Sequence, residues 1–113
     1  MKFLLLHYVD ETAKYDAEVS REGRALLASW LEDTNARGVH LDGNYLQPAR
    51  NAATIRSREG ELLIADGPFA ETKEQIAGFD IIECADLREA IEVAGKHPTT
   101  RHSTIEIRPF WTE

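Results

Sequence analysis

Apolar side chains alternate along residues 2–8 on both sides of the backbone. Phe3 and Leu5 share one face with His7, and Leu4 and Leu6 share the other with Tyr8. A strand that is apolar on both faces belongs near the centre of a sheet. Residues 9–19 are polar and lead into a helix that Asp16 or Ser20 would cap. From Val19 to Arg37, the positions Val19, Leu26, Leu27, Trp30 and Leu31 recur at helical spacing, with Gly23 on the same side. Gly38 stands where a left-handed residue ends a helix. Val39 to Leu46 reads as a strand with a bulge or bend at Asp42-Gly43. Ala52 to Ser57 and Leu62 to Ala65 form the arms of a hairpin about Arg58-Glu59-Gly60-Glu61. Asp66-Gly67-Pro68-Phe69 is a further turn signal.

Ala77 to Cys84 makes the next strand, with Phe79 and Ile81 on one face and Ile82 and Cys84 on the other. Asp86 and Glu89 form a capping box. The helix it opens turns Leu87, Ala90, Ile91 and Ala94 inward and ends near Gly95. Thr104 to Arg108 is the last strand, with Ile105 and Ile107 inward. The order β-α-β-(hairpin)-β-α-β predicts an α+β fold: a ferredoxin-like split β-α-β with an inserted hairpin. Two helices cover one face of such a sheet. The chain has 113 residues, one domain over 1–113, and nothing left to cover the other face. A second copy, sheet against sheet, is therefore expected.

Composition narrows the partners. Thirteen Lys and Arg against 20 Asp and Glu give a net charge of −7. That balance argues against direct nucleic-acid binding and against an anionic membrane surface, because both need clustered positive charge. The single cysteine, Cys84, forms neither an internal disulfide nor a multi-cysteine zinc site. No apolar run reaches the ~20 residues needed to span a bilayer, and Met1–Leu6 is too short for a signal peptide. A cytoplasmic location is expected. The seven glycines match neither a Rossmann fingerprint nor a P-loop, so no cofactor is expected.

The stretch Asp66-Gly67-Pro68-Phe69-Ala70-Glu71-Thr72-Lys73-Glu74 resembles the DGPF branch of the YCII-related family. So do Leu46-Gln47-Pro48, Gly78-Phe79, His97-Pro98 and Glu106-Ile107-Arg108-Pro109. The resemblance implies a dimeric α+β barrel. It implies less about activity. Some YCII-type proteins look like enzymes with a histidine and an aspartate paired in a pocket, one branch including a dehydrochlorinase of aromatic degradation. DGPF members often accompany sigma factors, which suggests a non-catalytic regulatory module as the alternative. The resemblance places the paired histidine on the first helix, and residues 16–37 contain none. That pair is therefore not carried over.

The candidate chemistry is a cofactor-free proton transfer, elimination or isomerisation in a cleft between sheet and helices. Asp66, His97 and His7 are the candidate catalytic residues. Asp66 serves as general base or hydrogen-bond acceptor, and histidine titrates near neutral pH. Lys73, Arg108, Tyr8 and Tyr45 are candidate substrate contacts, the two cations for anionic groups. Each has a structural alternative: Asp66 caps its turn, Phe69 plugs the core or dimer seam, and Arg108 pairs with Glu106. His97 would then bond carbonyls at a helix C-terminus. His7, His40, His97 and His102 match no metal-ligand spacing, so no metal is expected.

Overall fold

The computed structural model describes residues 1–13 and 17–112, with the backbone alone for 17–19. Among the described residues, six strands and two helices run β1 (Lys2–Asp10), α1 (Ala17–Ala36), β2 (His40–Tyr45), β3 (Ala53–Arg58), β4 (Glu61–Asp66), β5 (Glu74–Glu83), α2 (Leu87–Gly95) and β6 (Thr104–Pro109). Short 3-10 turns lie at Ala49–Asn51 and Pro98–Arg101. The element order read from the hydrophobic pattern is the order observed. The proposed Asp16 cap and the inward placement of Val19 lie outside the described residues.

An antiparallel sheet runs β2-β5-β1-β6, and the β3-β4 hairpin forms a separate two-stranded sheet. β1 alternates as its sequence requires: Phe3, Leu5 and His7 are buried, whereas Leu4, Leu6 and Tyr8 are half-buried. Both helices pack on the first face. Trp30 of α1 and Ala90, Val93 and Ala94 of α2 join Phe3, Leu5, Val39, Ile82 and Cys84 in one core. The α1 stripe continues to Thr34, whose hydroxyl donates to the Trp30 carbonyl and is thereby satisfied inside the core.

Helix α2 differs from expectation. Its buried stripe is Ala90, Val93 and Ala94, while Leu87 and Ile91 remain 47% and 54% exposed. The stripe is set by the rows three and four residues apart that face Trp30, and Leu87 and Ile91 fall on its flank. The Asp86 cap forms as read: its carboxylate accepts from the Glu89 amide at 2.9 Å, and Glu89 accepts from the Ala85 amide at 3.0 Å.

Two irregularities in the sheet shape the site. The β1–β5 register shifts between His7 and Tyr8, so His7 lies opposite Gly78. The β2–β5 register shifts between His40 and Asp42, at Leu41, just before the Asp42-Gly43 position where a bulge or bend was expected. Gly43 then pairs with Asp80, and a Cβ on Gly43 would collide with the Asp80 carboxylate. Glycine is needed there for the space it leaves a neighbouring side chain.

Candidate functional site

Asp80 lies on β5 between Phe79 and Ile81, so alternation points it to the helix-covered face, with Ile82 and Cys84. It is 8% exposed. A carboxylate so deeply buried needs donors, and two histidines supply them. His7 Nε2 lies 2.7 Å from Oδ2, and His40 Nε2 lies 2.7 Å from Oδ1. His97 Nε2 stands 3.7 Å from Oδ2. Burial pushes the Asp80 carboxyl up, but the His7 and His40 hydrogen bonds and the nearby imidazoles outweigh it, and the net shift is downward. Asp80 is therefore an anion that only accepts, and both Nε2 atoms carry hydrogen.

The turn after α2 completes the cluster. His97 caps the 3-10 turn: its Nδ1 accepts from the Thr99 amide at 3.0 Å. The expected bonding of His97 to helix carbonyls is replaced by this contact, because His97 faces forward into the turn. Burial, foremost, and the neighbouring His7 lower His97 to about 4, so its ring is neutral at pH 7 with hydrogen on Nε2. The Thr99 hydroxyl lies 3.1 Å from His7 Nδ1. Trp30 meets His97 and His40 edge-on, at centroid distances of 4.7 and 5.6 Å.

These rings border a cavity of about 240 Å³ between the sheet and the helices. Val9, Leu27, Leu31 and Tyr45 contribute to its apolar wall. The arrangement offers an anion, three imidazoles and a hydroxyl beside an apolar space large enough for a single ring. As a metal site it fits poorly. His7, Asp80 and His97 present donor atoms within 4.8 Å of one another, yet Thr99 occupies the His97 Nδ1 lone pair and leaves Nε2 protonated, without a lone pair to give.

The sequence-predicted residues divide sharply. His7 and His97 come together, and Tyr45 lines the same cavity. Asp66 does not join them. It ends β4, exposed, in the separate hairpin sheet. Lys73 is exposed in the loop before β5. Tyr8 and Arg108 lie on the opposite face of the main sheet, where both bond Glu106. Phe69 is 77% exposed, with the Arg56 guanidinium 5.3 Å from its ring centroid, and plugs no core within one chain. Cys84 is pushed up to about 11 by burial and then by Glu89, so its thiol stays protonated at neutral pH and is a poor nucleophile.

Sequence reasoning missed Asp80 and His40. The signal for Asp80 was the alternation itself, which put a lone acid on the apolar face of a central strand; the register sets it opposite Leu5, one inward position along from His7. The histidine–aspartate pair forms without a first-helix histidine, because β1 supplies the ring.

Fold and site together define a small α+β protein with a buried histidine–carboxylate cluster at the floor of a cleft. The chain belongs to the YCII-related domain family, whose model matches residues 1–112. An uncharacterised protein of Rhizobium meliloti (strain 1021) is 37% identical over 118 residues, covering 97% of this chain and 92% of that protein. The solved structure of a 5-chloro-2-hydroxyhydroquinone dehydrochlorinase (TftG) from Burkholderia phenoliruptrix AC1100, in complex with 2,5-dihydroxybenzoquinone, is similar in fold. The TM-score is 0.53 at 14% identity, over 100% of this chain and 96% of that one. Among the described residues, no helix is long and apolar enough to cross a membrane.

Proposed function

We propose that this protein is a homodimeric, cofactor-free enzyme or binder of small single-ring molecules, and that its cleft moves protons through the imidazoles gathered on Asp80. The observation that carries this reading is a buried carboxylate bonded to two imidazoles beside an apolar cavity. A buried charge is costly, and a chain that sought only stability would fill this space with aliphatic side chains. Asp80 takes the role that the sequence suggested for Asp66. It orients the rings and balances the charge of an imidazolium. The cavity, at about 240 Å³, falls just below the range of roughly 300–1,000 Å³ for drug-sized ligands, which suits one ring. The one-ring ligand of the structurally similar dehydrochlorinase supports the same class. No observation favours the regulatory alternative.

The strand order β2-β5-β1-β6 supports a ferredoxin-like arrangement. The half-buried outer face, Leu4, Leu6, Tyr8, Phe79 and Ile81, supports a partner copy on that side. The molecule is also flat, 48 × 44 × 18 Å, with a radius of gyration of 16.2 Å. A compact chain of this length has about 13 Å. The experiment is a thermal-shift screen of hydroxylated monocyclic compounds against wild type and His7→Gln. A ligand that raises the melting temperature of wild type and not of the variant is expected. A library without a wild-type hit would remove the small-molecule reading.

A further inference from the structure

We propose that the proton-accepting atom of this cleft is Nδ1 of His40, and that Thr99 is the positioning residue that reserves it for that role. The proposal rests on the cleft reading above and adds an atom to it. It starts from a hydrogen inventory. Asp80 accepts from both His7 Nε2 and His40 Nε2, so each neutral ring keeps its lone pair on Nδ1. His97 also carries its lone pair on Nδ1, because that atom accepts from the Thr99 amide. Three lone pairs result, and a single residue takes two of them. The Thr99 amide holds that of His97, and the Thr99 hydroxyl donates to that of His7.

The third lone pair is different. His40 Nδ1 meets no hydrogen-bonding partner among the described residues, whereas no buried side-chain nitrogen or oxygen there is left unsatisfied. The atom is therefore accessible, and His40 lines the cavity. In the step proposed, an acidic O–H or C–H of the ligand loses its proton to Nδ1. The electron pair stays on the ligand, an N–H bond forms, and the imidazolium is balanced through Nε2–H to Asp80 Oδ1. His97 is a poor competitor because its lone pair, on Nδ1, is already taken by the Thr99 amide. His7 is held back by the Thr99 hydroxyl.

Two measurements test this. The first is ring nitrogen–proton correlation NMR on nitrogen-15-labelled wild-type protein, which needs no variant. His7, His40 and His97 should all show hydrogen on Nε2 and a bare Nδ1 at neutral pH. A His40 ring with hydrogen on Nδ1 overturns the assignment. The second uses 4-nitrophenol, whose visible absorbance reads its ionisation, at a pH below its solution midpoint. Wild type and Thr99→Ser should bind it as the phenolate. His40→Gln should bind it with the ionisation ratio of free solution. The double variant His40→Gln/Thr99→Val should regain phenolate, because His7 Nδ1 is then released. Phenolate retained in His40→Gln, or not regained in the double variant, overturns the proposal. If wild type binds no nitrophenol, the cleft reading suffers and the tautomer spectrum still decides the assignment.

Discussion

Replacing Asp80 by Asn keeps the shape of the side chain and removes its charge. In the native site, two ring N–H groups donate to the carboxylate at 2.7 Å each. Hydrogen bonds to a charged group contribute about 1.5–3 kcal/mol, against about 0.5–1.5 for neutral pairs. Asparagine has one acceptor oxygen and one donor NH2, so one imidazole shifts its hydrogen to Nδ1 to face the amide, and exchanging two of the former bonds for two of the latter costs about 2–3 kcal/mol. The desolvation that the carboxylate suffers and the amide avoids offsets part of this. A net loss of about 1–2 kcal/mol remains, and its sign is fixed by the downward shift of Asp80. A lowered carboxyl means the fold prefers the ionised form. The stability this confers is present above the ordinary carboxyl range and is lost as pH falls through the folded-state value. Urea denaturation of both proteins at pH 7 should therefore place the variant midpoint lower by about 0.5–1 M, taking a slope of about 2 kcal/mol per M. At pH 3 the gap should narrow. A variant as stable as wild type at pH 7, or a gap indifferent to pH, would refute the reasoning.

Other expectations follow from neighbouring contacts. Gly43→Ala should displace the Asp80 carboxylate, and loss of ligand-induced thermal shift together with a destabilisation of about 1–3 kcal/mol is expected. His97, lowered from 6.5 to about 4, resists a proton that the unfolded chain accepts. Stability is thus full above pH 6.5 and falls by up to about 3 kcal/mol as pH drops to 4. Urea midpoints across that window should show the slope, and His97→Gln should flatten it. Asp86→Ala removes the α2 cap and should cost about 1 kcal/mol without altering ligand binding, measured by the same denaturation. Sedimentation of wild type at micromolar concentration should show a two-chain species, and single chains alone would contradict the proposed pairing of outer sheet faces.

Much of the fold was legible because it is written in local periodicity. Phe3, Leu5 and His7 alternate with Leu4, Leu6 and Tyr8, and that rhythm survives intact in β1. The capping box at Asp86 is likewise a short-range signal, and the irregularity of β2 falls within a residue or so of the expected Asp42-Gly43. The site was less legible because it is long-range. His7 and Asp80 are 73 residues apart, and His40 and Asp80 are 40 apart. Only the strand register brings them together. Asp66 drew notice through a conspicuous turn motif, while Asp80 sat unmarked inside a strand. Exposed apolar groups on α2 escaped prediction because helical spacing leaves two adjacent rows almost equally plausible, and only the neighbour chooses between them.

The edge-on indole of Trp30 gives this protein a built-in optical gauge. Trp111, the second of two tryptophans, is 99% exposed and outside the core cluster. Replacing Trp111 by Phe leaves one emitter, lodged against His40 and His97. Its emission would then register guest entry or imidazole charging in the cleft directly, with no dye attached.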